Sequence, residues 1–131
     1  MFTGSCHCGS TTWQLSELPE EAVTCNCTVC RRYGVLWATG YEGENISVSG
    51  ATIAYSRPEP NAAFHICKKC GCMMFERVLK LEDDGRQFIA VNLRMATDPE
   101  AISKVRIHRV DGLNDYEDVP AEGQCVRNLW F

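Results

Sequence analysis

The placement of its cysteines constrains this chain of 131 residues more than any other feature. Seven of the nine cysteines stand in three short groups, which are Cys6-His7-Cys8, Cys25-Asn26-Cys27-Thr28-Val29-Cys30 and Cys67-Lys68-Lys69-Cys70. The first residues show no basic segment followed by an apolar one, so no secretory signal is expected and the predicted location is cytoplasmic. Because the cytosol keeps thiols reduced, the three groups favour metal ligation over disulfides.

Cys67-x-x-Cys70, followed by Gly71, is the most specific of the three groups. In a zinc knuckle the backbone amides after the first thiolate turn inward to hydrogen-bond it, and the glycine permits that turn. Structural zinc is tetrahedral, so the pair needs two more ligands. They come either from Cys6 and Cys8 or from two members of the second group. The first pairing is preferred because it leaves no thiol idle.

The Cys6/Cys8 pair requires a turn of the backbone, since a regular strand would direct the two thiols to opposite faces. Gly9 supplies the necessary conformational freedom. A four-thiol zinc site would carry a net charge of −2, which Lys68 and Lys69 would offset unless they form only a solvated turn. Structural zinc contributes about 10–16 kcal/mol in apparent binding free energy, comparable to a whole domain's stability. This site is therefore expected to decide whether the chain folds.

The triplet Cys25, Cys27 and Cys30 is one ligand short of a closed zinc site, and two interpretations stay open. In the first, a fourth side chain closes the site, and the candidates are Cys72, His65, His7 and Cys125. In the second, the fourth position is exchangeable and takes an incoming thiol, which coordination deprotonates. Three thiolates make the centre a weak Lewis acid, so it is better suited to presenting a sulfur nucleophile than to activating water.

Short β-type segments fill the rest of the chain, so we predict a mainly β fold and one domain over residues 1–131. They lie at 11–15, 22–24, 34–40, 45–50, 52–56, 73–79, 87–93 and 105–110. The three segments between 34 and 56 are expected to form a meander, and Asp84-Gly85 to close a hairpin. Asp98 is expected to cap one helical turn. The terminal Leu129-Trp130-Phe131 is expected to pack, as are Trp13, Trp37 and Tyr55.

Charge and hydropathy disfavour several classes of function. The formal net charge is −4, so there is no general electrostatic attraction to nucleic acid or to an anionic membrane surface. No apolar run approaches the ~20 residues of a membrane span. The expected partners are therefore small molecules, with neither nucleic acid nor a membrane among them.

Three blocks of the sequence resemble the glutathione-dependent formaldehyde-activating enzyme family, which also includes centromere protein V. The blocks are Gly4-Ser5-Cys6-His7-Cys8-Gly9, Cys25-Asn26-Cys27-Thr28-Val29-Cys30-Arg31-Arg32 and Phe64-His65-Ile66-Cys67-Lys68-Lys69-Cys70-Gly71. Ala90-Val91-Asn92-Leu93-Arg94 and Val110-Asp111-Gly112 are similar to the family's C-terminal half. Cys72 departs from the family pattern, in which a small residue without a thiol is usual; it closes the second site, bonds an incoming thiol, or only packs.

The resemblance implies a β-tent fold of small antiparallel sheets, shared with methionine sulfoxide reductase B, and two zinc ions per chain. One zinc would be structural, on Cys6, Cys8, Cys67 and Cys70. The other would be catalytic, on Cys25, Cys27 and Cys30. The implied reaction is addition of glutathione or another small thiol to formaldehyde or a related aldehyde, an activity classed as a carbon–sulfur lyase. Rival interpretations are a non-catalytic zinc-stabilised binding module and a zinc-ribbon-like nucleic-acid binder.

Arginines near the triplet are the candidate ligands of the thiol substrate. Glutathione carries two carboxylates, which guanidinium groups bind in bidentate fashion. Arg31 and Arg32 follow the triplet directly, and Arg94 lies in the C-terminal half; Arg31 and Arg32 would alternatively only neutralise an anionic zinc site. His7 and His65 are expected to pack or hydrogen-bond, and His108 to lie on the surface. The acid that would protonate the product is not identified by the sequence.

Overall fold

The structure, a computed structural model, describes residues 1–120 and 122–130, and within them it confirms the predicted mainly β class. The strands are β1 (Phe2–Ser5), β2 (Thr12–Leu15), β3 (Glu21–Cys25), β4 (Trp37–Tyr41), β5 (Ile46–Ser49), β6 (Thr52–Tyr55), β7 (Ala62–Cys67), β8 (Met73–Val78), β9 (Phe88–Asn92), β10 (Arg106–Asp111) and β11 (Glu117–Val119). The helical elements are α1 (Cys30–Tyr33), a 3-10 helix (Leu93–Met95) and α2 (Arg127–Trp130). No described helix is long and apolar enough to cross a membrane.

The strands form two sheets. Three strands pair in the order β1-β2-β5, and eight in the order β11-β10-β3-β4-β9-β8-β7-β6. Every described pair of strands is antiparallel except β3 and β10, which run parallel. The parallel pair brings the second half of the chain alongside the strand that delivers the thiol triplet, with Val110 opposite Cys25.

The expected meander between residues 34 and 56 is wrong. β4 lies between β3 and β9, β5 pairs with β2 in the small sheet, and β6 pairs with β7. Local propensity marks where strands occur but not which strands pair, because pairing is decided by side-chain packing across distant segments. The hairpin between β8 and β9 is confirmed, with its turn at Asp84-Gly85.

The two faces of the large sheet bury different sets of residues, as the alternation of side chains along a strand requires. The first core lies between the two sheets and includes Trp13, Leu15, Ile46, Leu36, Ala38, Phe75, Ile89 and Val91. The second core covers the opposite face and includes Trp37, Phe64, Met73, Ala90, Cys27 and Cys30. The loop that carries the thiol triplet thus forms the cover of the second core. Trp13 and Trp37 pack as predicted, but Tyr55 is 47% exposed, so that prediction is wrong.

The predictions for the last segments of the chain are confirmed in part. The Asp98 carboxylate accepts hydrogen bonds from the amides of Glu100 and Ala101, but turns follow in place of a helix. Leu129 packs against the first core, as expected. The Trp130 side chain and Phe131 lie outside the described part of the structure.

Candidate metal centres and substrate site

Cys6, Cys8, Cys67 and Cys70 form the four-thiol cluster. Their sulfur atoms all lie within 4.8 Å of one another. The Sγ of Cys8 is 3.5 Å from that of Cys6 and 3.7 Å from that of Cys67. Four sulfurs at about 2.3 Å from a tetrahedral zinc are separated by about 3.8 Å, so these spacings suit that ion.

Hydrogen bonds support thiolates in this cluster. The backbone amide of Cys70 and the hydroxyl of Ser10 donate to the Sγ of Cys67 and lower the pKa of this thiol to about 4. The amide of Thr11 donates to the Sγ of Cys6 over 3.3 Å. The backbone turns with positive φ at Gly9 (80°) and Gly71 (77°), where a side chain would be strained. The cluster therefore fits a structural zinc by its donor set, its spacing and its charge-stabilising contacts.

The triplet occupies a second location, on the face of the large sheet that carries the second core. Its three sulfurs lie within 4.8 Å of one another, and no fourth His, Cys, Asp or Glu of the described chain joins them. The amide of Cys27 donates to the Sγ of Cys25, and the amide of Cys30 to the Sγ of Cys27. The indole of Trp37 donates to the Sγ of Cys30 over 3.4 Å. Three thiols, each accepting one N–H donor, fit a metal with a free fourth position.

The four residues considered as a fourth ligand of the triplet all lie elsewhere. Cys72 packs against the first core, and its carbonyl accepts a hydrogen bond from the amide of Cys67. His65 stacks on Phe75 with its Nδ1 2.9 Å from the Thr52 hydroxyl, as expected of a packed histidine. Cys125 hydrogen-bonds Asn128, and His7 is exposed. His108 is also no ligand of the triplet; it bridges Asp118 and Glu21, which raise its pKa.

Gly112 sets how closely β10 approaches the triplet. A Cβ at this position would lie 2.5 Å from the Cβ of Cys27 and 2.7 Å from the Sγ of Cys25. Such distances are too short for non-bonded atoms, so any side chain here has to displace the thiols. Gly112 lies in the turn after β10, and the triplet requires the absence of a side chain there.

Gly112→Ala is expected to weaken metal binding at the triplet while the fold persists. Overpacking a tight site costs about 1–3 kcal/mol, which corresponds to a loss of roughly ten- to hundredfold in affinity. Zinc affinity is measured by competition with a chromophoric chelator. Leu113→Ala is the matched control, since Leu113 is the next residue and is 64% exposed. Equal affinities in the two variants would contradict the steric role.

A basic cleft of about 410 Å³ lies on one side of the triplet. Its walls include Cys25, Cys30, Arg31, Arg94, Arg109 and Asp111. Arg31 and Arg94 were predicted to bind substrate, and the structure brings both to this cleft. Arg32 is not part of it, because its guanidinium donates instead to the carbonyl of Thr28 over 2.8 Å. Arg109, which sequence reasoning missed, enters through the parallel pairing of β3 with β10 and is also bonded to Gln124.

An apolar pocket of about 300 Å³ lies on the other side of the triplet. Cys25, Cys27 and Cys30 form one wall, and Val23, Trp37, Ala62, Phe64, Val78 and Tyr116 form most of the remainder. The basic cleft and the apolar pocket share Cys25 and Cys30. The triplet thus stands between a cationic space and an apolar one.

Glu76 is the carboxylate that lines the apolar pocket. It is half-buried on β8, and its removal from water raises its pKa to about 7. None of the described residues hydrogen-bonds its carboxyl group. Sequence reasoning missed this residue, although an acid within the apolar run Met73-Met74-Phe75-Glu76 is a signal that could have indicated it.

The fold and the two thiol clusters define the class of protein. It is a mainly β protein with two sets of cysteine side chains that suit two metal ions. The sequence profile described as glutathione-dependent formaldehyde-activating enzyme matches residues 1–108. The chain therefore belongs to the glutathione-dependent formaldehyde-activating enzyme family, which confirms the resemblance seen in the sequence. The match ends before Val110-Asp111-Gly112, so it does not cover that part of the resemblance.

A solved structure agrees in fold. The chain is similar to a Rhodobacter sphaeroides protein of known crystal structure, with 24% sequence identity and a TM-score of 0.60. The similarity covers 80% of this chain and 98% of that one. No curated protein sequence matches the chain.

Proposed function

We propose that this protein is a zinc-dependent enzyme of the carbon–sulfur lyase type, which adds glutathione or another small thiol to formaldehyde or a related aldehyde. The observation that carries the proposal is the triplet of thiols without a fourth protein ligand in the described chain, set between two cavities. Membership of the family supports the chemistry. Nine cysteines without a disulfide suit a reducing, cytoplasmic location.

We assign two zinc ions to the chain and the β-tent superfold to its sheets. The structural ion would be held by Cys6, Cys8, Cys67 and Cys70, and the catalytic ion by Cys25, Cys27 and Cys30. When bound at the triplet, zinc supplies a position at which an incoming thiol is held as the thiolate. The amides of Cys27 and Cys30 and the indole of Trp37 donate to the protein's own three sulfurs and hold them in position.

The basic cleft is assigned to the carboxylates of the thiol substrate. Arg31 and Arg94 line it beside Cys25 and Cys30, and both are exposed, so their guanidinium groups are accessible to an anion. Guanidinium binds carboxylate with two parallel hydrogen bonds, which orients as well as attracts it. A thiol anchored in this way would direct its sulfur toward the triplet.

Glutathione is expected to raise the thermal midpoint of the zinc-loaded protein, and formaldehyde to change that shift. A ligand that binds the native state alone must raise the midpoint. The catalytic test is the rate of S-hydroxymethylglutathione formation, followed by NMR exchange spectroscopy with and without protein. Absence of any thermal shift with any small thiol would favour a non-catalytic module stabilised by zinc.

Arg31→Ala and Arg94→Ala are each expected to weaken glutathione binding by roughly three- to tenfold, since a hydrogen bond to a charged group in a solvated cleft is worth about 1 kcal/mol. Binding of 2-mercaptoethanol, which has no carboxylate, should be unchanged. Calorimetric titration with both thiols measures this difference. Arg32→Ala is the control, because its guanidinium is bonded to Thr28 outside the cleft. If all three variants bind glutathione like the wild type, the assignment of the basic cleft fails.

A further inference from the structure

The apolar pocket is larger than formaldehyde requires. Its volume of about 300 Å³ lies at the lower end of the roughly 300–1,000 Å³ typical of small-molecule sites. Formaldehyde has only two non-hydrogen atoms. The walls supplied by Trp37, Phe64 and Val78 offer apolar surface that a molecule of that size leaves mostly uncovered.

Part of the pocket wall belongs to paired strands whose side chains are buried. Phe64 on β7 pairs with Glu76 on β8, and Glu76 pairs in turn with Ala90 on β9. Phe64 and Ala90 are buried in the second core, and the ring of Phe64 lies 6.5 Å from that of Trp37. Because these neighbours are packed, the backbone of Glu76 is held in place, and its side chain lines the pocket that also contains the three thiols.

Glu76 contributes a polar group to a pocket that is otherwise mainly apolar. Arg57, which also lines the pocket, is directed to the hydroxyl of Thr28. The neighbouring Arg77 forms its ion pair with Glu42 at 2.6 Å. Small-molecule sites combine such apolar walls with a few placed polar groups that fix the orientation of the ligand.

We propose that the apolar pocket is the carbonyl-substrate subsite and takes an apolar aldehyde larger than formaldehyde, with Glu76 donating a proton to the carbonyl oxygen. This inference rests on the proposed function. The hydrocarbon part of the aldehyde packs against Trp37, Phe64 and Val78, and its carbonyl carbon faces the triplet. Glu76 acts as a catalytic residue because its carboxyl group touches the reacting oxygen.

The step balances without an oxidant or a reductant. The thiol sulfur forms a bond to the carbonyl carbon, the carbon–oxygen π bond breaks, and its electron pair moves to oxygen. The carboxyl group of Glu76 gives that oxygen a proton. The proton lost by the thiol passes through solvent to the Glu76 carboxylate and restores it. The product is a hemithioacetal, and the reverse sequence releases the thiol and the aldehyde.

The test compares hexanal with formaldehyde as substrates of the zinc-loaded protein, with glutathione as the thiol. Val78→Phe fills the pocket with a residue that strands favour and is expected to lower kcat/KM for hexanal by about tenfold or more. The ratio of kcat/KM for hexanal to kcat/KM for formaldehyde should therefore fall, because formaldehyde needs less of the volume that phenylalanine fills. Ile53→Phe is the matched control, because Ile53 is on the edge strand β6, 56% exposed and outside the pocket. Glu76→Gln should lower kcat for both aldehydes by about 100-fold, and Glu82→Gln, on the exposed β8–β9 loop, should have no effect.

A binding measurement keeps the inference separate from turnover. Hexanamide, an unreactive analogue with the same chain and a carbonyl oxygen, is titrated calorimetrically into each variant. We expect hexanamide to bind the wild type and Ile53→Phe. It should bind Val78→Phe about tenfold more weakly. Circular dichroism and zinc content verify that each variant is folded and loaded.

The outcomes distinguish this inference from the proposed function. Preference for hexanal together with binding that depends on Val78 supports the subsite. Turnover of formaldehyde alone, or hexanamide binding that Val78→Phe leaves unchanged, overturns the subsite while the proposed function stands. Undiminished turnover in Glu76→Gln overturns the role of this carboxyl group. Absence of catalysed addition with every aldehyde and thiol overturns both proposals.

Discussion

Cys67→Ser is expected to leave the chain unfolded, whereas Cys27→Ser is expected to leave it folded with one zinc fewer. A zinc ion held by Cys67 would join the end of β7 to the loop between β1 and β2 and so close a segment of about sixty residues. An apparent binding free energy of about 10–16 kcal/mol for a structural zinc equals or exceeds the typical stability of about 5–15 kcal/mol of a domain. Serine is a poor zinc ligand, so the variant loses a contribution comparable to its whole stability.

Cys27→Ser changes a site that closes only a short local segment, from Cys25 to Cys30. The second core still packs around Trp37, Phe64 and Ala90, so the cost to the fold should be small. Circular dichroism and a two-dimensional NMR amide spectrum report folding, and mass spectrometry of the metal reports the zinc-to-protein ratio. Cys72→Ser is the matched control, since this half-buried thiol lies beside the four-thiol cluster without being one of its four members. Equal unfolding by Cys67→Ser and Cys27→Ser would contradict the division into a structural and an open site.

Asn92→Ala is expected to destabilise the protein by about 4 kcal/mol. The side chain is buried, with 2% of its surface exposed, and its amide donates to the carbonyl of Met73 over 2.9 Å. Its Oδ1 accepts hydrogen bonds from the amides of Leu36 and Arg94. Leu36 and Met73 are buried, so alanine leaves two polar backbone groups without partners, each at a cost of about 1–3 kcal/mol.

The same substitution should also disturb the basic cleft, because Asn92 caps the 3-10 helix that carries Arg94. Urea denaturation of the zinc-loaded protein measures the free energy of unfolding, and calorimetry with glutathione measures the effect on the cleft. Asn114→Ala, in an exposed turn, should change stability by less than about 0.5 kcal/mol. A loss below about 1 kcal/mol in Asn92→Ala would mean that water or a shift of the backbone satisfies both groups.

The triplet lies between two cavities, and in the proposed enzyme each cavity would bind a different substrate. Under this proposal the basic cleft would recognise the charged part of the thiol, and the apolar pocket would receive the aldehyde. Cys25 and Cys30 border both spaces, so the two substrates would meet where the sulfur is held. The two cavities would then be separate determinants of specificity, and the variants at Arg31, Arg94 and Val78 test each cavity separately.

The sequence by itself determined the grouping of the thiols and the mainly β class of the fold. Thiols at Cys6, Cys8, Cys67 and Cys70 and in the triplet, with glycines at Gly9 and Gly71, have few uses other than metal ligation, and the short β segments set the class. These signals are local, because ligand spacing and strand propensity are properties of neighbouring residues.

The tertiary structure alone decided what surrounds the triplet. The pairing of β10 with β3 brings Arg109 and Gly112 to the thiols, and the pairing of β7, β8 and β9 directs Glu76 to the same place. The tertiary structure also places Arg31 and Arg94 at the basic cleft and Arg32 outside it, a difference that the residue type alone does not indicate. The physical reason is that pairing between distant strands depends on burial across the whole sheet, which no short stretch of sequence contains.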